Sequence, residues 1–406
     1  MKLKTLKKLS AAVCAVAFLF SCNQDTTTPV EEGESQMVAP SDSQIIPGQY
    51  IVVFNKTDEG KASENYQKSQ DRVKAKALKL MTDAGVKGEI LNIYSKTING
   101  ATLKLSLDDA KSLSKRDEVA YMEEDRIVIL APPCGTPNNP CTGGGGGGSE
   151  GQETPYGITR VNGGVNYTGQ NVAWVLDTGI DLDHEDLNVD ASRGFNAFTS
   201  GRDAKNLDDG HGHGTHVSGT IAAKDNTVGV IGVAAGATVI PVKVLDSRGS
   251  GSYSGVIAGV DYVGANGANG DVANMSLGGP VSQALDDAVV AASQNGITFA
   301  LAAGNESDDA NNHSPARANG ANIVTISAMD DTDSWASFSN YGNPPVDYAA
   351  PGVAIKSSWK GGGYNTISGT SMASPHAAGV LLLGNAGTDG VVNGDPDGDP
   401  DPIIVH

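Results

Sequence analysis

Asn171-Val172-Ala173-Trp174-Val175-Leu176-Asp177-Thr178-Gly179-Ile180-Asp181 is the stretch that sets the fold class. Its apolar run reads as a strand buried on both faces. An acid directly after such a strand stands at the carboxyl edge of a parallel sheet, where open α/β folds place their active sites. Similar apolar runs recur at 238–244, 272–275, 298–302 and 322–326, and helical stretches separate them. That alternation predicts one α/β domain over about 151–390, a parallel sheet covered by helices on both faces.

Two further segments share the chemistry of the first. Gly210-His211-Gly212-His213-Gly214-Thr215-His216 sets histidines among small residues and leads into an apolar helix. Gly369-Thr370-Ser371-Met372-Ala373-Ser374-Pro375-His376 places a serine at the start of a helix, with Pro375 expected in its first turn. A serine hydroxyl is a poor nucleophile until a base takes its proton, and a histidine does that near neutral pH. A buried carboxylate fixes the imidazole tautomer and stabilises its cation. A helix N-terminus offers N–H groups to a developing oxyanion.

These segments resemble the signature blocks of subtilisin-like serine proteases, near the proteinase K branch. The chain order Asp…His…Ser is the one known for that family. The resemblance implies Asp177 as orienting acid, His213 as general base and Ser371 as nucleophile. Ala302-Ala303-Gly304-Asn305-Glu306 is similar to the family segment whose asparagine amide completes the oxyanion hole, which gives Asn305. Gly249-Ser250-Gly251, with Tyr253 nearby, and Ser276-Leu277-Gly278 match the two segments that bind an extended peptide as an added strand. Small Ala302 and Gly304 imply a roomy pocket for apolar or aromatic side chains, and Glu306 at its rim could accept a basic one. The expected activity is endopeptidase cleavage of unfolded or extended protein substrates with broad specificity, by a monomer.

The resemblance also implies structural Ca²⁺. The matching ligands are Gln152, Asp186, the Asn226 side chain and the carbonyls of Lys224, Val228 and Val230. A second site would use Asp347 with the carbonyls of Pro315 and Arg317.

Upstream, residues 47–130 alternate as βαββαβ, with a helix at 107–113 capped by Ser106 and a turn expected at Asn99-Gly100. This small α+β, ferredoxin-like unit resembles the family's propeptide, a chaperone and then an inhibitor, and implies self-cleavage within about 128–151. Residues 131–150 are a Gly-rich linker holding Cys134 and Cys141. A disulfide is the expected pairing there, and a metal site is the weaker alternative because no histidine or third cysteine lies nearby.

The chain starts with four lysines before an apolar run, the pattern of an export signal over 1–22. Its end, Leu19-Phe20-Ser21-Cys22, resembles a bacterial lipoprotein signal, with ordinary signal cleavage as the alternative to lipidation at Cys22. Residues 23–46 read as a flexible linker. The expected location is outside the cytoplasm, with membrane attachment only through such a lipid anchor. The net charge of −19 over 406 residues disfavours nucleic acid as a partner. The alternating Asp and Pro after 391 read as a solvated acidic tail over 391–406, with a calcium-binding or spacer tail as the alternative.

Overall fold

The computed structural model describes residues 45–55, 64–130 and 151–406. The expected signal with Cys22, most of the 23–46 linker, and the Cys134/Cys141 segment lie outside the described residues.

The small unit forms in the expected order: β1 (Ile45–Phe54), α1 (Tyr66–Asp83), β2 (Gly88–Tyr94), β3 (Gly100–Leu105), α2 (Leu107–Leu113) and β4 (Val119–Ile129). The Ser106 hydroxyl accepts from the Asp109 N–H and caps α2. One detail differs from the sequence reading: the β2–β3 connection spans 95–99 instead of a tight Asn99-Gly100 turn. Asn65 caps α1.

The large unit is a ten-stranded sheet. Its central strands are β5 (Ala173–Asp177), β6 (Thr238–Lys243), β8 (Val272–Met275), β9 (Thr298–Ala302), β10 (Ile323–Met329) and β11 (Val346–Pro351), where β7 is the short Ser250–Ser252. They lie side by side in the order β11-β10-β9-β8-β5-β6, each paired parallel to the next. The chain runs from β5 outward to β6, then returns to β8 on the other side of β5. Such a reversal opens a crevice at the carboxyl ends of the strands.

Alternate side chains of β5 enter different cores. Trp174 and Leu176 pack with α4 (Tyr253–Asn266) and α5 (Gln283–Ser293). Ala173 and Val175 pack with α3 (His213–Ala222) and α6 (Thr370–Leu383). Among the described residues no helix is long and apolar enough to cross a membrane.

The solvated-tail expectation fails at the chain's end. Residues Gly387–Val391 (β12) and Pro402–Val405 (β13) form a hairpin, and β13 joins the sheet beside β11 at Ala349–Ile403. Ile403 and Ile404 are fully buried, each adding about 1.5–3 kcal/mol of hydrophobic stabilisation. The acidic loop is the hairpin's connection, and the strand after it lies between β11 and the edge strand β12.

Candidate active site

Asp177 ends β5, fully buried, and its own backbone carbonyl receives the N–H groups of Val244 and Leu245. One carboxylate oxygen takes the Thr178 N–H at 2.7 Å. Both oxygens lie 2.9 Å from His213 Nδ1.

His213 is the first residue of α3 and is only 2% exposed. Glycines make its approach feasible. Gly212 has φ +115°, and a side chain there would collide with the Trp359 ring. A Cβ on Gly214 would strike the Gly179 carbonyl. Burial alone would lower the His213 pKa. The charge and hydrogen bond of Asp177, with the charge of Asp209, outweigh burial and leave it raised. The two neighbouring histidines differ. His216 Nε2 donates to the Ile355 carbonyl, and burial takes its pKa down to about 3. His211 is also lowered, first by burial and then by His213.

Asp209 organises this corner and was not singled out from sequence. Its Oδ1 accepts from the Thr178 hydroxyl and the N–H groups of His211 and Gly212. Its Oδ2 accepts from the Thr215 N–H and hydroxyl. Lys243 was also missed. It is buried beside Asp177 in the β5–β6 register, and its ammonium donates to the carbonyls of Thr178 (2.5 Å) and Asp208 (3.2 Å). The readable signals were an acid four residues before His213 and a lone charge inside an apolar strand.

Ser371 is the second residue of α6. Its hydroxyl donates to the Ser276 carbonyl at 3.2 Å, so the described rotamer does not use His213. Pro375 lies inside α6 and not in its first turn. It has no N–H for the Ser371 carbonyl four residues back. The Ser276 hydroxyl donates to that carbonyl instead, at 2.8 Å. The Asn305 amide oxygen accepts from the Thr370 N–H (2.8 Å) and hydroxyl (3.0 Å). With its oxygen so held, the amide NH₂ is the end left to turn outward at the start of α6.

Of the two expected peptide-binding segments, one is paired. Ser250, Gly251 and Ser252 of β7 form an antiparallel ladder with Ile129, Val128 and Ile127 of β4, and the Leu130 N–H reaches the Gly249 carbonyl at 2.9 Å. A Cβ on Gly251 would strike the Val244 carbonyl. Ser276, Leu277 and Gly278 follow β8 outside any strand. Ala302 ends β9, buried. Gly304 has φ +108°, and a Cβ there would meet Asn340 and Glu306. Glu306 itself accepts from Asn340 Nδ2 at 2.7 Å. Tyr253 is buried, its hydroxyl on the Pro280 carbonyl.

Carboxylates dock the small unit onto the large one. Asp261 of α4 is fully buried. Its Oδ1 accepts from the N–H groups of Ser95, Lys96 and Thr97 at 2.7–2.9 Å, and from the Thr97 hydroxyl. Its Oδ2 accepts from Tyr66 and Gln70. In the opposite direction, Asp125 of β4 accepts from the Ser254 N–H at the start of α4, and Glu123 from the Gln283 N–H at the start of α5. Acids there also meet the positive helix ends.

The residues matched to calcium ligands lie near one another. Asp186 is buried. Its carboxylate accepts from Asn226 Nδ2 (2.7 Å) and the Val230 N–H (3.0 Å). Gln152 Nε2 lies 2.7 Å from the Lys224 carbonyl and 3.4 Å from that of Val230. The Val228 N–H donates to Asn226 Oδ1. Rotating the two amides end for end would add two oxygens to this carboxylate and these carbonyls. That oxygen set fits Ca²⁺. Burial raises the Asp186 pKa. Asp347 accepts from the Thr325 N–H, and the Thr325 hydroxyl donates to the Ala316 carbonyl. Asp347 thus lies beside the segment holding Pro315 and Arg317. Among the described residues, no three carboxylate, imidazole or thiol side chains already converge as a metal cage.

Residues 169–387 match the subtilase family (Peptidase_S8), and residues 49–131 match peptidase inhibitor I9. The chain is 38% identical over 407 residues to alkaline serine exoprotease A of Vibrio alginolyticus, covering 93% of this chain and 70% of that protein. It is 40% identical over 306 residues to subtilisin NAT of Bacillus subtilis subsp. natto, covering 73% of each. Among solved structures, a cold adapted subtilisin-like serine proteinase aligns with TM-score 0.49 at 42% identity, over 56% of this chain and 83% of that one.

Proposed function

The chain belongs to the subtilase family of serine proteases, and on that premise we propose that it is an exported endopeptidase made as an inhibited precursor. Its substrates are extended or unfolded protein segments. Ser371 is the nucleophile, His213 the general base, Asp177 the orienting acid and Asn305 an oxyanion donor.

The reaction follows from the residues' positions. An extended peptide lies along Ser250–Ser252, as β4 does in the precursor. The Ser371 hydroxyl turns from the Ser276 carbonyl toward the imidazole. His213 takes its proton as oxygen attacks the scissile carbonyl, and Asp177 stabilises the imidazolium. The Asn305 NH₂ and the backbone N–H groups at the start of α6 receive the oxyanion. His213 then protonates the leaving amine. Water, activated by the same imidazole, hydrolyses the acyl-enzyme.

Residues 47–130 act as the inhibitor, with β4 in the peptide-binding cleft and self-cleavage between 128 and 151. Gln152, Asp186, Asn226 and the Lys224, Val228 and Val230 carbonyls would hold a Ca²⁺ that ties the mature N-terminal segment to the 224–230 loop. Asp347 would serve a second ion.

One observation carries the catalytic reading: the buried contact between Asp177 and His213 Nδ1. A fluorophosphonate probe tests it. The matured protein should be labelled once and should hydrolyse casein, and Ser371→Ala should do neither. Undiminished casein hydrolysis by Ser371→Ala would sink the assignment.

A further inference from the structure

We propose that the loop joining β12 to β13 is a Ca²⁺ site, built from Asp395, Asp401, the Asn343 side chain and the Asp399 carbonyl. It is separate from the sites at Asp186 and Asp347 and does not depend on the catalytic reading.

The loop reads Asp395-Pro396-Asp397-Gly398-Asp399-Pro400-Asp401-Pro402. Four carboxylates fall within seven residues, and the prolines remove N–H donors that would otherwise neutralise them. None of the four is in an ion pair with a basic side chain among the described residues. Arg160 pairs instead with Asp333 and Asp389.

Acidic crowding alone would not mark a site. The independent observation is Asp401, which is 1% exposed. Its Oδ2 accepts from the Ser327 hydroxyl. Its Oδ1 is buried with no hydrogen-bond partner. Asn343 repeats the pattern: Nδ2 donates to the Asp399 carbonyl at 2.9 Å, while Oδ1 is buried and unpartnered. Two buried oxygens without donors therefore lie against the acidic loop. The loop closes on Asp401 directly, since the Asp401 N–H donates to Asp395 Oδ2 at 3.4 Å.

The electrostatics lack a positive charge. The donors are all oxygen, a mixture of carboxylate, amide and carbonyl on a pliable loop. That suits Ca²⁺ better than Mg²⁺, which demands a near-ideal octahedron. With no three carboxylates converging, two carboxylates ligate directly, and the amide, carbonyl and water complete the shell. Asp401 precedes β13, and Ser327 lies on β10. The ion would thus pin the terminal hairpin to the sheet.

The test uses the full chain carrying Ser371→Ala to stop self-digestion, stripped with EDTA and titrated with Ca²⁺ or Mg²⁺. The substitutions are Asp395→Asn, at a half-buried position, with Asp397→Asn, at an exposed one. This doubly substituted protein should bind one fewer Ca²⁺ than its parent, and Asp186→Asn should lose a different one, so that the losses add. In the parent, Ca²⁺ should slow amide exchange in β13 about tenfold or more, and Mg²⁺ at equal concentration should not. An unchanged Ca²⁺ count in the doubly substituted protein, unchanged β13 exchange, or equal action of Mg²⁺ would overturn the proposal. The exchange measurement decides the matter even if the substitutions prevent folding.

Discussion

Asp177 and Asp261 are both carboxylates with no solvent exposure, yet they are surrounded in opposite ways. Asp177 faces one imidazole that can change its charge. Asp261 faces amides, hydroxyls and a glutamine, all from the small unit and none titrating near neutral pH. Burial therefore does not make a catalytic acid. A partner able to take up a proton does. In the proposed mechanism the same degree of burial serves chemistry at Asp177, while at Asp261 it forms a lock between units. The lock costs something, because burial raises the Asp261 pKa against all its hydrogen bonds.

Substitutions should separate the two. Asp177→Asn should lower kcat by about 10⁴, because the amide stabilises the wrong imidazole tautomer. Steady-state peptide hydrolysis reads this, with KM nearly constant. Asn305→Ala should lower kcat by about 10²–10³ through loss of one oxyanion donor. A parallel fall in substrate affinity would instead give Asn305 a binding role. Asp261→Asn should leave kcat of the matured enzyme alone. It should shorten the lag before activity appears by about tenfold, since charge-assisted hydrogen bonds contribute about 1.5–3 kcal/mol each. An unchanged lag would show that the β4–β7 ladder, and not Asp261, holds the inhibitor.

The contrast also explains what could be read from the sequence. Asp177, His213, Ser371 and Asn305 each sit in a short local block whose neighbours carry the signal, such as the glycines around His213. The sheet strands were equally legible as apolar runs. Asp261 was not, because its partners at 95–97 are 164 to 166 residues away and nothing in an apolar helix names them. The strand at 402–405 failed for the same reason. Its pairing with Ala349 is non-local, while the local Asp/Pro alternation argued for a solvated tail. Pro375 was misplaced because the serine that satisfies the freed Ser371 carbonyl, Ser276, lies on the distant segment after β8. Lys243 and Asp209 left single-residue traces that only the folded arrangement makes meaningful.

The central claim is that Asp177 sets the protonation of His213. The pH dependence of kcat/KM for the matured enzyme tests it most directly. Protonated His213 cannot accept the serine proton, and its pKa is raised in the fold. Activity should therefore fall with acidification through one midpoint above the ordinary 6.5 of a free imidazole. In Asp177→Asn the residual activity should show that midpoint moved lower. A midpoint at or below 6.5 in the parent enzyme, or one that Asp177→Asn leaves in place, would contradict the account.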